Sequence, residues 1–160
     1  LGLTKSLNKL ISLSEAEFLA RQDTDDYSSP DRLEIQINKI IDDKFDAVTS
    51  RAKVINTEKV IPRVSNYFPN KLVMKYKNPF VHGTLLIKRG VINSVGGYDE
   101  KFKYSQDYKL YKDLLKNNYR IGFIHNLLYF LNTEDNISQN FKKEQNYYFN
   151  CAKNNIDPES

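Results

Sequence analysis

The sequence predicts an α/β fold in one layered domain, and three observations point there. Short apolar runs alternate along the chain with amphipathic stretches of helical period. Internal repeats and low-complexity linkers are absent. The 160 residues, 40% hydrophobic and 28% charged, suffice for one packed core and are too few for two ordinary domains.

The elements follow in order. Ser6 to Ile11 reads as the end of a helix, with Leu3, Leu7, Leu10 and Ile11 on one face. Glu17 to Arg21 is an apolar run that stops at Gln22-Asp23-Thr24-Asp25, which suits a buried strand ending in a carboxylate loop. Ser29-Pro30-Asp31 opens a second helix, with Ser29 as cap and Pro30 in its first position, and Leu33, Ile37, Ile40 and Ile41 as its apolar face. Ala47 to Ile61 suggests one or two strands with a turn near Asn56-Thr57, and the stretch to Asn78 reads as a basic loop. Phe80 to Ile87 reads as a strand, and Lys88 to Val95 as a short helix stopped by Gly96-Gly97. Ser105 to Lys116 is a strong helix whose inward face combines Asp107 with Leu110, Tyr111 and Leu114. Tyr119 to Phe123 and Leu127 to Leu131 read as two strands, and Ile137 to Ala152 as a terminal amphipathic helix.

Composition removes several classes of function. One cysteine, Cys151, forms no intrachain disulfide, and one thiol with two histidines builds no zinc site. No apolar run approaches the roughly 20 residues of a membrane span, and Lys5, Lys9, Glu15 and Glu17 break up any signal-peptide core. Leu1 is not an initiator methionine, so a processed or partial chain is expected. The net charge of +4 conceals an asymmetry: residues 1–50 hold six Lys/Arg against ten Asp/Glu, and residues 51–160 hold eighteen against ten. Acidic and basic segments side by side suit a divalent cation together with a phosphorylated ligand. Nucleic acid is not expected, because no nucleic-acid motif accompanies the basic segment.

Three constellations could carry chemistry. In Asp23-Thr24-Asp25-Asp26, three carboxylates repel one another unless a cation sits among them; a solvated turn is the alternative. An EF-hand is disfavoured, because Tyr27 and Ser28 occupy places that need an oxygen ligand and a glycine, and a phosphatase aspartate finds no companion motif. The second is Gly96-Gly97-Tyr98-Asp99-Glu100 leading to Gln106-Asp107. There the helix dipole favours an ionised carboxylate, as a general base requires, unless Asp107 merely satisfies free amides. The third is His82, beside Phe80, Val81 and Thr84; His125 reads as a core or packing residue.

Taken together, these residues resemble the bacterial family 2 glycosyltransferases with a GT-A fold. The resemblance rests on Gly2 to Asn8, Glu17-Phe18-Leu19-Ala20-Arg21, Asp23-Thr24-Asp25-Asp26, Pro30-Asp31-Arg32-Leu33 with Gln36, Asn78 to Thr84, Gly96 to Glu100 and Gln106-Asp107-Tyr108. These occur in the family's order and spacing. The resemblance implies a GT-A-like, Rossmann-like three-layer sandwich whose nucleotide-binding front is missing, with residues 1–136 a partial transferase domain and 137–160 an amphipathic helix packed on it. It implies an inverting transfer of a sugar from a nucleotide-sugar donor, UDP-linked by preference, to a hydroxyl of a saccharide or lipid-linked acceptor in surface polysaccharide or glycoconjugate synthesis. Asp107 would be the catalytic base. Asp25, with Asp23, would hold Mg²⁺ or Mn²⁺. Arg21, Asp23, Asp25, Asp26, His82 and Thr84 would lie toward the donor. The setting would be cytoplasmic, with room for peripheral membrane association and a homo-oligomer. At position 83 many relatives carry proline where this chain has glycine. The second reading is a non-catalytic binding module on a degenerate transferase fold, and the chain alone is expected to be weakly active or inactive.

Overall fold

Adjacent residues of single strands reveal the architecture. Ala47 and Val48 are neighbours in β3 (Ala47–Val54), and both are buried, yet they belong to separate apolar clusters. Leu86 and Ile87 in β5 (Leu86–Lys88) divide in the same way. Successive side chains of a strand point to opposite faces, so this sheet is covered on both sides. The computed structural model describes residues 2–133 and 141–159.

The chain begins with α1 (Leu3–Leu13) and β1 (Phe18–Ala20), then β2 (Tyr27–Ser28) and α2 (Arg32–Asp42). After β3 come the short β4 (Val60–Ile61), a helical turn α3 (Asn70–Val73), β5 and α4 (Arg89–Ser94). The chain continues with α5 (Gln106–Lys116), the long β6 (Ile121–Leu131) and α6 (Lys142–Asn154). The sheet order is β1-β5-β3-β6-β2, with β4 pairing to β3. Among the described residues only the β3–β6 pair is parallel. The larger core packs Tyr98, Phe102, Tyr108, Tyr111, Leu114 and Tyr148 on one face, under α1, α4, α5 and α6. The smaller packs Ile40 against Val48, Leu86, Ile124 and Leu128 on the other, under α2. The result is a mixed α/β fold in three layers, as expected.

Several elements differ from the sequence reading. The inward stripe of α2 is Arg32, Gln36 and Ile40, while Leu33 and Ile41 are exposed. Two polar side chains replace apolar ones there because each finds buried hydrogen-bond partners, described below. In α1 the inward residues are Thr4, Leu7 and Ile11, and Leu3 and Leu10 are exposed; Thr4 donates to the carbonyl of Phe102 at 3.0 Å. Pro30 lies before α2, which starts at Arg32. The basic stretch contains β4 and α3 rather than loop alone, and the strand expected from Phe80 is a helical turn over His82–Thr84 followed by the short β5. The two strands expected between Tyr119 and Leu131 are one: Ser50 pairs with Ile124, but Arg51 pairs with Leu127 and Ala52 with Tyr129. This bulge pushes His125 to the surface, against Phe123 and Tyr67, so it is not a core residue. The start of the expected terminal helix, 137–140, lies outside the described residues.

Candidate active-site cleft

A cavity of about 870 Å³ opens where β1, the turn after it, the His82 turn, the first turn of α5 and the end of β6 converge. Arg21, Asp23, Asp25, Asp26, His82 and Asp107 all line it, as do Lys5 and Lys103. Thr84 does not. It is fully buried, its hydroxyl donating to the carbonyl of Val81 at 2.7 Å and accepting the Ser50 amide at 3.1 Å.

The carboxylate turn is closed by the Asp26 amide donating to the carbonyl of Asp23 at 3.2 Å. Its three acids are not equivalent. Asp26 is buried and accepts from the Tyr129 hydroxyl at 2.6 Å and from the Asn132 amide at 2.7 Å. Burial pushes its carboxyl above the usual range, against the pull of those two bonds. Asp23 is half-buried and ion-paired with Arg21, and its amide donates to the Tyr129 hydroxyl at 3.1 Å. Asp25 is exposed to the cleft. One phenol therefore ties the turn to the end of β6 at two points, leaving Asp25 and Asp23 toward the cavity.

Beneath the turn lies Arg32, 2% exposed. Its guanidinium donates to the carbonyls of Arg21 at 2.8 Å and Gly83 at 2.9 Å, to Ser28 Oγ at 2.8 Å and to Gln22 and Gln36 side chains at 3.1 and 2.9 Å. It also sits 4.9 Å from the Tyr129 ring centroid. Gln36 continues the network by donating to the carbonyl of Thr84 at 2.7 Å. A buried cation needs such compensation, and here it comes from carbonyl and amide oxygens that belong to both walls of the cleft. Arg32 is thus a positioning residue that fixes the end of β1 against the His82 turn. Gly83 is part of the same fit, for a Cβ built there falls 2.5 Å from Tyr129 Oη. Proline also carries a Cβ, so the glycine at position 83 is the counterpart of Tyr129.

On the facing wall, Asp107 is the second residue of α5 and accepts from Asn78 Nδ2 at 2.7 Å. Asn78 Oδ1 is occupied by the amide of Phe80 at 3.0 Å, so its amide nitrogen is the group turned toward Asp107. The helix dipole was expected to keep Asp107 readily ionised. Burial instead raises its pKa, outweighing the hydrogen bonds of the helix amides and Asn78. A carboxylate moved upward toward neutral pH is a stronger proton acceptor. His82 Nε2 lies 2.7 Å from Tyr98 Oη, and burial, then the nearby Arg21 charge, push its pKa down to about 3. His82 is therefore a neutral ring at ordinary pH.

The sequence reading placed Asn78 and Tyr98 within motifs without giving either a role, missed Tyr129, and used Arg32 and Gln36 only as markers of a helix start and of the family resemblance. Asn78-Pro79 carried a signal, since an asparagine before proline commonly folds its side chain onto its own backbone. Tyr129 carried none, being one aromatic among many in an apolar strand.

The glycosyl transferase family 2 model matches residues 1–96. The chain belongs to that family. The O-antigen biosynthesis glycosyltransferase WbnJ of Escherichia coli is 32% identical over 116 residues, covering 71% of this chain and 45% of its own. S. aureus TarS 1-349 in complex with UDP-GlcNAc superposes with a TM-score of 0.69 at 18% identity, covering 99% of this chain and 48% of its own. The mannosyltransferase PcManGT of Pyrobaculum calidifontis, in complex with GDP-Man and Mn²⁺, has a TM-score of 0.63 at 15% identity, covering 92% of this chain and 41% of its own. These solved structures establish a GT-A fold for the family 2 chain. It spans about half the length of the curated relatives it matches. No helix among the described residues is long and apolar enough to cross a membrane.

Proposed function

We propose that this family 2 chain forms the catalytic and acceptor side of a metal-dependent, inverting glycosyltransferase of surface polysaccharide synthesis. The observation that carries the reading is the placement of Asp107 across one cavity from Asp23 and Asp25. The donor to try first is a UDP-sugar, a choice supported by the S. aureus neighbour in complex with UDP-GlcNAc.

No group of three or more His, Cys, Asp or Glu side chains converges among the described residues. The chain therefore offers two carboxylates, with water and ligand oxygens left to complete a shell. That set fits Mg²⁺ or Mn²⁺, which bind through one or two carboxylates plus phosphate oxygens. Asp25 would be the direct ligand and Asp23, steadied by Arg21, its companion; the bound cation would supply neutralisation of charge on the diphosphate. Asp107 accepts the proton of the acceptor hydroxyl as its oxygen attacks the anomeric carbon. The bond from that carbon to the diphosphate oxygen breaks, its electron pair leaves with the nucleoside diphosphate, and configuration inverts. Asn78 holds the Asp107 carboxylate in place for this step. The neutral His82, its Nε2 2.7 Å from the buried Tyr98 hydroxyl, lines the cavity together with Arg21 without adding charge.

The test is sugar transfer by the full-length protein with UDP-sugars and Mn²⁺, with the anomeric configuration of the product read by NMR. Asp107→Asn should lower kcat by roughly 10²–10⁴-fold, the range of general acid–base contributions. Retention of configuration, or full activity in Asp107→Asn, would refute the assignment.

A further inference from the structure

A second cavity, of about 570 Å³, lies between α3, α5 and α6. Its floor is apolar, formed by Met74, Tyr108 and Leu115. Five lysines line it, Lys71, Lys75, Lys112, Lys116 and Lys153, and no Asp, Glu or Arg does. Three separate elements supply them. Among the described residues none of the five is in an ion pair.

The ordinary explanation for lysines here is the end of a helix. Lys116 and Lys153 do lie in the last turns of α5 and α6, and Lys112 Nζ donates to the carbonyls of Ala152 and Lys153. Two helix C-termini carry roughly one negative charge between them, against five positive ones. The helix ends thus account for only a small part of the charge. Lys71 and Lys75 belong to a stretch, residues 59–77, that contains five Lys/Arg and no acid. Between and beside them stand two unpartnered apolar side chains, Leu72 at 48% and Tyr76 at 75% exposure, with Tyr76 on the cavity rim.

We propose that this face docks on an anionic phospholipid bilayer. Charge complementarity selects the partner: lysine ammonium groups on flexible stems attract a negative surface without needing fixed geometry, whereas nucleic-acid recognition favours arginine forks, absent from this cavity. The apolar floor accommodates lysine stems, and Leu72 and the amphipathic Tyr76 ring insert at headgroup level. The surface is distinct from the catalytic cleft. Asp107 and Lys116 stand at opposite ends of α5, about 13 Å apart along its axis. The inference does not depend on the chemistry proposed for the cleft, because bilayer binding is read without any sugar donor.

The experiment is flotation of the full-length protein with vesicles of phosphatidylcholine alone or mixed with phosphatidylglycerol, at low and high salt. Binding should require phosphatidylglycerol and be released by salt. Combined Lys71→Gln, Lys75→Gln and Lys116→Gln substitutions should lower the partition coefficient about a hundredfold, and Leu72→Ser with Tyr76→Ser should weaken binding while leaving its lipid preference intact. Circular dichroism verifies that each variant is folded. Failure to bind phosphatidylglycerol vesicles, equal binding to phosphatidylcholine, or wild-type binding by the triple lysine variant would overturn the proposal. Displacement by inorganic phosphate at constant ionic strength would point instead to a soluble anion site, and preferential retention on RNA to a nucleic-acid surface; either result also overturns it.

Discussion

Adding one methyl group at Gly83 should test how the cleft is held together. In Gly83→Ala, the new Cβ would lie 2.5 Å from Tyr129 Oη, 2.6 Å from Cζ and 2.7 Å from Cε1. Ordinary carbon contacts begin near ~3.5 Å, so the ring must move by about 1 Å. Tyr129 is fully buried and has nowhere to yield without releasing Asp26, which it contacts at 2.6 Å, or the Asp23 amide at 3.1 Å. Overpacking a core costs about 1–3 kcal/mol. Leaving the buried Asp26 carboxylate one donor short costs about 1–3 kcal/mol more. A loss of about 2–6 kcal/mol is expected, a large share of a typical stability of about 5–15 kcal/mol. Urea unfolding reads it as a lower midpoint at constant slope. The decisive comparison is a double-mutant cycle with Tyr129→Leu, which removes all three clashing atoms. Gly83→Ala should cost far less in that background, whereas Tyr129→Phe, which keeps Cζ and Cε1, should rescue little. An unchanged midpoint for Gly83→Ala, or the same penalty in the leucine background, would refute the account of Tyr129 as the clamp of the carboxylate turn.

Two further outcomes follow from the opposite wall. Asn78→Ala removes the 2.7 Å bond to Asp107; it should lower kcat about 10- to 100-fold with little change in KM, and shift the acid limb of the rate profile to higher pH, because that bond favours the ionised carboxylate. His82, held neutral with its pKa lowered from 6.5 to about 3, takes up a proton in the unfolded chain before it does in the folded one. Stability should therefore fall as pH drops below 6.5, by up to about 1.4 kcal/mol per pH unit, and thermal melts of His82→Gln should lose that part of the acid sensitivity.

Both Asp107 and Asp26, each singled out in the sequence, have carboxyl groups whose burial raises their pKa, but only the inward placement of Asp107 was legible there. Asp107 was legible because helical spacing alone sets it on the face of Leu110, Tyr111 and Leu114, and the loop before it is marked by Gly96-Gly97. The fold class was legible for the same kind of reason: apolar runs of period two and stripes of helical period are local patterns. Where the reading failed, a long-range partner had overruled the local pattern. Arg32 and Gln36 occupy the inward stripe of α2 because they reach the carbonyls of Gly83 and Thr84, some fifty residues away. No hydrophobic period can reveal that, and it displaced Leu33 and Ile41 to the surface. The bulge that merged two expected strands into β6 depends likewise on register against Ser50 and Arg51. Asp26 shows the same limit within the site. In sequence it is the third member of an acidic run and a natural companion of Asp23 and Asp25. In the fold its carboxylate is committed to Tyr129 and to the Asn132 amide, so it anchors the turn from below while Asp25 stays open to the cleft. The repulsion among three adjacent acids is thus relieved in two ways, by burying one among hydrogen-bond donors and pairing another with Arg21, and the remaining carboxylate, Asp25, is the one exposed to the cleft.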